Sequence, residues 1–175
     1  MLKSNIKLIP LKEIINEKLY EMYQDIPAQE TGSTNKLNGL SYLEFKDKCN
    51  ELIKEETVIN EELNTTTNRY ILACDDKYIG EVGIRTTLND FWINKGSQIY
   101  YKIRLSERNK GYGNIILELA LKECKKLGFK KVRINCSDSN VPSKKVILKN
   151  GGKVDIESYR TKEGTSSSYI IDLDF

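Results

Sequence analysis

The succession of apolar periodicities predicts an α+β domain: a mixed, mostly antiparallel central sheet with helices on both faces, an α/β/α sandwich. Three observations carry this expectation. Two segments of helical spacing come first, three consecutive strand-like runs follow, and a helix, a strand, a helix and two strands complete the chain. Consecutive strands fit antiparallel pairing better than the alternation of a doubly wound parallel sheet. With 39% hydrophobic and 30% charged residues among 175, the chain has an ordinary globular composition and the length of one domain, residues 1–175.

Taken in order, Ile6 to Ile9 reads as a short strand ended by Pro10. Leu11, Ile14, Ile15, Leu19, Met22 and Tyr23 recur at helical spacing and predict one amphipathic helix. Asp25 to Leu40 reads as a long loop, and long loops in compact domains often cover binding sites. Ser41-Tyr42-Leu43-Glu44 is a capping box, and Tyr42, Phe45, Cys49 and Leu52 share one face of the helix it starts. Glu55 to Asn68 is a second polar stretch. Tyr70 to Cys74 and Tyr78 to Thr86 flank the turn Asp75-Asp76-Lys77 as a hairpin, and Ser97 to Ile103 is the next strand. A helix from about Tyr112 turns Ile115, Ile116, Leu119, Ala120, Cys124 and Leu127 inward and stops at Gly128. Val132, Ile134 and Cys136 alternate on a strand. Ser139-Asn140-Val141-Pro142 opens a shorter helix that ends at Gly151-Gly152, and strands near Lys153 to Tyr159 and Ser168 to Leu173 follow.

Composition excludes several classes. A net charge of +3 lacks the strongly basic character of a nucleic-acid binder. No stretch approaches the ~20 apolar residues of a membrane span, and Met1 to Asn5 carries no export-signal core, so a cytoplasmic protein with no membrane partner is expected. Cys49, Cys74, Cys124 and Cys136 form no C-x-x-C pair and read as reduced thiols packed in the core. The chain has no histidine, which removes the commonest metal ligand and the commonest general base. No metal is expected, and neither is a Ser-His-Asp hydrolase.

The stretch richest in chemistry is Arg108-Asn109-Lys110-Gly111-Tyr112-Gly113-Asn114, between a strand and a helix. The first four N–H groups of a helix lack intrahelical partners and sit at the positive end of its dipole, so such a turn suits phosphate. A P-loop pattern is absent, and Ile116 stands where a dinucleotide-binding turn needs its third glycine. The pattern R-x-x-G-x-G is met by Arg108, Gly111 and Gly113; alone, it is equally compatible with a ligand-free connection.

The neighbouring motifs narrow the choice. One bacterial branch of predicted acetyltransferases carries R-H-x-L-N, then G-H-I-G-Y-x-V-R-P-S-E-R-x-K-G-Y, then N-x-x-S-x-K-V-I-x-K-N-G-G. Here Arg85-Thr86-Thr87-Leu88-Asn89, Ser97 to Tyr112, and Asn140 to Gly152 occupy these places in order. From about Gly80 to Gly152 the chain thus resembles the GNAT superfamily of N-acetyltransferases, which use acetyl-CoA. The resemblance implies a GNAT fold whose sheet splays around the cofactor. It also implies direct transfer of an acetyl group from the thioester to an amine of a small molecule or peptide. It implies that backbone groups of Ile103, Arg104 and Leu105 pair with the pantetheine arm. The amides from Lys110 to Asn114 would hold the diphosphate, with Arg108 and Asn109 beside them, and Asn140 and Ser143 would meet the arm from the far side.

Several positions depart from the family. Ile147 stands where many members place a tyrosine acid, Thr86 and Gln98 replace the branch's histidines, Tyr100 replaces a glycine, and Leu105 replaces a proline. Tyr101, Tyr169 or Ser143 are substitutes for the acid; Glu81, Asp90 or a water relay for the base. Arg85 and Asn89, at a strand end before Phe91-Trp92, are candidates to face the acceptor, where a cation would bind a substrate carboxylate; the alternative is that Asn89-Asp90 caps a turn and Trp92 packs on the core. The acceptor would then be selected by the loops Asp25 to Leu40 and Glu55 to Asn68. A non-catalytic acyl-CoA-binding module and an RNA-associated protein of the same fold are the rival readings, and a homodimer is compatible with the sequence.

Overall fold

The computed structural model describes residues 5–162 and 164–173; Met1 to Ser4, at the terminus expected to carry no export signal, lie outside them. Strand β1 (Ile6–Pro10) pairs antiparallel with β4 (Thr67–Cys74), β4 with β5 (Lys77–Arg85), and β5 with β6 (Ile99–Ile103). A second sheet has the order β7 (Lys131–Ser137), β9 (Gly164–Asp172), β8 (Lys153–Thr161), again antiparallel. Between them in sequence, β2 (Gln29–Glu30) and β3 (Ser33–Thr34) form a small hairpin of their own. The central sheet is thus splayed, as expected, into two antiparallel parts that approach each other along β6 and β7.

Alternation on the strands divides the core in two. Ile71 of β4 is fully buried with Leu19, Met22 and Tyr23 of α1 (Glu17–Gln24) and Phe45 and Cys49 of α2 (Tyr42–Lys54). Its neighbour Leu72 points the other way, among Ile116, Leu117, Ala120 and Cys124 of α4 (Tyr112–Lys126) and Ile147 of α5 (Val141–Lys149). The face of α2 is as expected from spacing, but on α4 the buried side is turned: Leu117 and Leu121, not expected inward, are buried, Ile115 and Leu119 are only partly buried, and Leu127 is exposed. Burying a side chain of this size contributes ~1.5–3 kcal/mol, so the paired layers hold the sheet faces firmly.

The structure corrects several boundaries. The apolar stripe from Leu11 is not one helix: Leu11–Glu13 is a single 3-10 turn, and the Asn16 side chain accepts the Leu19 N–H at 3.0 Å to begin α1 anew. Short polar caps compete with helix continuation, which the periodicity does not register. The capping box is as read, with Ser41 N–H on Glu44 at 2.8 Å. Strand β4 starts at Thr67, inside the polar stretch, because Thr65, Thr66 and Thr67 are buried, and the Thr66 hydroxyl bonds Thr86 and Thr87 at 2.8 and 2.6 Å. A one-and-a-half-turn helix, α3 (Asp90–Asn94), was not expected at all. No helix among the described residues is long and apolar enough to cross a membrane.

Candidate functional site

Strands β6 and β7 are stitched at one end only. Gln98 N–H donates to Arg133 C=O at 2.9 Å, Arg133 N–H donates to the Gln98 side-chain oxygen at 2.5 Å, and Asn135 N–H reaches Ser97 Oγ at 3.2 Å. Beyond that junction the strands pair with β5 and β9 respectively and not with each other. A cleft opens between them, floored by α4 and α5.

The ladder decides which backbone groups face the cleft. Arg85 N–H donates to Gln98 C=O and Arg104 N–H to Ile79 C=O, so the carbonyl of 98 and the backbone groups of 100, 102 and 104 turn toward β5. Residues 99, 101 and 103 turn outward. The expected arm-facing set is thereby corrected. Arg104 N–H is taken by Ile79, and Leu105 N–H donates to Asp25 C=O at 3.0 Å, leaving Tyr101 and Ile103 in the position to meet an extended amide chain.

At the far end of the cleft lies the glycine turn. Asn109 and Gly111 have φ of +61° and +87°, on either side of Lys110, and Gly111 caps α4 without a side-chain bond. Successive turns of this kind aim amides at one point and make an anion seat. Among the described residues the N–H groups of 109, 110, 111, 112 and 113 donate no hydrogen bond, whereas Asn114 N–H is used by Gly111 C=O at 3.1 Å. The seat is thus displaced by one residue from the expected 110–114. No acidic side chain occupies the first turn of α4. A cavity of about 550 Å³ runs over these residues. Ile103, Arg108, Asn109, Gly111, Tyr112, Gly113, Asn114, Asn140 and Ser143 line it; Arg104, Leu105 and Lys110 do not.

Of the cations expected to attract phosphate (Arg108, Lys110, Lys144, Lys145 and Lys149), the two in the turn, Arg108 and Lys110, are already engaged. Arg108 holds both oxygens of Glu30, at 2.6 and 2.8 Å, and donates Nε–H to Ile103 C=O at 2.9 Å. Lys110 and Lys77 grip Glu107 at 3.0 and 2.9 Å, and these bonds hold its carboxyl below the usual carboxylate range. Within the turn, the groups left open are therefore peptide N–H groups and not the Arg108 and Lys110 side chains.

Midway along the cleft, Tyr101 Oη lies 2.9 Å from Ser143 Oγ. Burial pushes the Tyr101 phenol up to about 12, with the Ser143 bond opposing, so it keeps its proton at neutral pH. The Asn140 side-chain oxygen is occupied in capping α5 through Ser143 N–H at 3.2 Å, which leaves its amide donor for a ligand. Ile147 is fully buried in the core, and Tyr169 is buried there too, away from the cavities.

On the other face a larger cavity, about 850 Å³, continues past Tyr101 to Tyr100, Arg85 and Ser97. Glu81 is buried behind Tyr100, accepting its hydroxyl at 2.9 Å, with Arg69 Nε at 3.7 Å; it lines neither cavity. Arg85 does line the larger one, with Cζ 4.4 Å from the Trp92 ring and 5.4 Å from the Tyr100 ring. Asn89 does not: its side chain caps α3, accepting Trp92 N–H at 3.2 Å, and Asp90 lies in the first turn of that helix. Residues 55–68 also stay out of the lining; Leu63 C=O accepts the Trp92 indole N–H at 2.8 Å, so this stretch supports the ring beneath Arg85.

The β2–β3 hairpin, hidden within the long loop, spans the cleft. Glu30 ties it to Arg108, Lys102 Nζ donates to Thr34 C=O at 2.6 Å, and a Cβ on Gly32 would stand 4.0 Å from Ser137 of β7. The signal was present in Thr31-Gly32-Ser33, where Gly32 takes φ of +72°. Tyr159, Thr161 and Lys162 close the rim from the second sheet. No cluster of metal-ligating side chains exists among the described residues.

Comparison by sequence with curated proteins gives no match. Solved structures do match in fold. RimL, a ribosomal L7/L12 alpha-N-protein acetyltransferase in complex with coenzyme A, superposes at a TM-score of 0.69 with 14% identity, covering 99% of this chain and 97% of its own. The microcin C7 self-immunity acetyltransferase MccE, in complex with acetyl-CoA and AMP, gives 0.67 with 16% identity over 95% and 92%. Mycobacterium smegmatis RimJ, in complex with CoA-disulfide, gives 0.66 with 13% identity over 97% and 81%. At such identities they establish the fold alone. The model of the Acetyltransferase (GNAT) domain matches residues 21–153, a span that holds β6, the glycine turn and the asparagine-capped helix, and the chain belongs to the GNAT acetyltransferase family.

Proposed function

We propose that the protein is an acetyl-CoA-dependent N-acetyltransferase that moves the acetyl group directly to an amine of a small molecule or peptide. The observation that carries this reading is the one-sided splay of β6 from β7 with a seat of five undonated amides at its end. The residues present fit the cofactor. Amides of residues 109–113 suit a diphosphate, and the outward backbone of Tyr101 and Ile103 suits the amides of an extended arm. Gly113 leaves room where a Cβ would stand 3.1 Å from Val146. Acetyl-CoA supplies the acyl group as a thioester.

The chain's own contributions follow from the geometry. A cleft-facing N–H of β6 polarises a carbonyl laid along it. Tyr101, protonated and held by Ser143, donates a hydrogen bond or proton to the leaving sulfur. A thiol with a pKa near ~8.5 leaves readily as thiolate, so this help is modest in demand. Neither cavity holds a histidine, and Glu81 is enclosed behind Tyr100. An acceptor whose amine is partly free at neutral pH, such as an α-amine near ~8, suits this site better than a lysine-type amine near ~10.4.

Thermal denaturation with acetyl-CoA tests the reading. At ~100 times its Kd the ligand adds ~2.7 kcal/mol, equivalent to roughly 5–11 °C in a domain of this size. Thiol release across amines of graded pKa then measures transfer. No shift at millimolar acetyl-CoA refutes binding, and a preference for the most basic amine refutes the acceptor class. A shift with no thiol release from any amine favours the second reading, an acyl-CoA-binding module, which the apolar burial of Ile147 supports.

A further inference from the structure

Arg85 differs from every other buried or half-buried arginine among the described residues. Arg69 pairs with Glu55, Arg104 with Asp25, Arg108 with Glu30 and Arg133 with Asp155. Arg85 has no carboxylate within ion-pair distance among the described residues. Its Nη1 donates to Ser97 C=O at 2.5 Å, its Cζ lies 4.4 Å over the Trp92 ring, and its Nε is closed off from solvent without any acceptor. Withdrawing a cation from water without a counter-charge costs stability unless something completes it, and burial does lower the affinity of this guanidinium for its proton. The anchoring is elaborate. Trp92 is itself fixed by Leu63 C=O, and Gln98 Nε2 donates to Trp92 C=O at 2.8 Å. A side chain held this firmly, lining the larger cavity and lacking an anion, is arranged to receive one.

Of the other charged groups on that cavity, Glu30 is held at both oxygens by Arg108, and Lys162 adds positive charge at the rim. Arg85 lies opposite Gln98 in the ladder, and Tyr101 is three residues further along β6. At ~3.3 Å per residue this is about 10 Å between backbone positions. Allowing for the guanidinium's reach toward Tyr100, the span left for a ligand is about that of a dipeptide, at 3.3–3.6 Å per residue. A free amino acid is too short to touch both ends.

Resting on the transferase reading above, we propose that Arg85 is the specificity-determining residue of the acceptor site, binding a carboxylate that lies about a dipeptide's length from the reacting amine. The guanidinium matches a carboxylate, and the Trp92 ring together with the Ser97 bond holds it at the cavity wall. The acceptors in question are short peptides, or peptide N-termini with an acidic group at that distance.

The test compares glycylglycine and glycylglycinamide, whose α-amines both fall near ~8 in the accessible range, with glycine, whose more basic amine restricts it to the binding measurement. Calorimetry on the protein saturated with coenzyme A reads binding, and thiol release from acetyl-CoA reads transfer. A charged hydrogen bond of this kind corresponds to about ten- to a hundredfold. Glycylglycine should bind tighter than its amide, and be used with higher kcat/KM, by that factor, and glycine should be the weakest ligand by calorimetry. Arg85→Gln should remove the difference between acid and amide in both binding and transfer. Arg85→Lys, which keeps the charge and loses the fork, should retain part of it. Equal affinity for acid and amide in the unaltered protein overturns the proposal without any variant, as does a preference that survives Arg85→Gln. Because binding is read separately, failure of glycylglycine and its amide to release thiol challenges the transferase reading, whereas loss of the acid-over-amide difference challenges only the role of Arg85.

Discussion

Gly111 and Gly113 stand two residues apart in one turn, yet the structure requires each for a different reason, and substitution should separate the two. Gly111 has φ of +87° and nothing within 4 Å of an added Cβ. Its requirement is conformational only. Placing alanine there costs ~1–2 kcal/mol for a left-handed non-glycine residue, and asparagine costs less because it tolerates that region. In a domain of 150–250 residues each kcal/mol is ~2–4 °C, so Gly111→Ala should melt ~2–8 °C lower, with Gly111→Asn between it and the parent. Gly113 has ordinary helical backbone and an added Cβ would stand 3.1 Å from Val146 Cγ2. Alanine there gains ~1 kcal/mol of helix propensity, which offsets the small displacement of Val146, so Gly113→Ala should be nearly neutral for folding. Gly113→Glu, by contrast, brings a carboxylate into the first turn of α4, where it competes with any anion for the free amides. Its stability without ligand should stay within ~1 kcal/mol of the parent, while the acetyl-CoA shift disappears. Urea titration and thermal scans with and without acetyl-CoA measure all four variants. The reasoning fails if Gly111→Ala and Gly111→Asn cost the same, or if Gly113→Glu keeps the full ligand shift.

Two further outcomes are expected. Tyr101→Phe should lower kcat by about 10²-fold, the lower end of general acid catalysis, with little change in the dissociation constant for acetyl-CoA; an unchanged kcat assigns the proton elsewhere. Glu107, with its carboxyl held below its ordinary value by Lys77 and Lys110, contributes stability that is full above the unfolded carboxylate pKa and is lost as pH falls through the lower folded value. Glu107→Gln should therefore flatten the acid side of the stability profile and leave the region above neutrality parallel to that of the parent.

The parts of this molecule visible from sequence are those fixed by local rules. The box Ser41-Tyr42-Leu43-Glu44 starts its helix because a serine hydroxyl and a glutamate carboxylate each satisfy a backbone group within four residues. The apolar face of α2 is set by helical period, and the glycine turn by φ. What sequence reading missed depends on partners far along the chain. Arg108 looks like a phosphate ligand until Glu30, 78 residues away, is seen to occupy it. Asn89 looks like a substrate contact until Trp92 N–H is found on its oxygen. The family resemblance implies Ile103, Arg104 and Leu105 as one arm-facing run, but a ladder alternates, and only its register shows which residues face outward. The two-residue strands of the hairpin at Gln29 to Thr34 are too short for a periodic signal and were read as loop.

Gln98 shows how the absence of histidine is accommodated. It occupies a place where the related branch carries histidine, which suggests a lost catalytic group. The structure gives it another task. Gln98 is 4% exposed, lines neither cleft cavity, and every polar group it owns is used: N–H to Arg133, C=O from Arg85, side-chain oxygen from Arg133 N–H, side-chain amide to Trp92 C=O. These bonds make the single stitch from which β6 and β7 diverge, and they fix both the strand carrying Arg85 and the ring on which Arg85 lies. A buried amide so satisfied is a geometric element, since leaving its partners unpaired costs ~1–3 kcal/mol each. The position that lacks an imidazole thus sets the angle of the cleft and the place of the acceptor-side cation. On the proposed transferase reading, proton transfer falls to groups that line the cavities themselves, of which Tyr101, bonded to Ser143, is one.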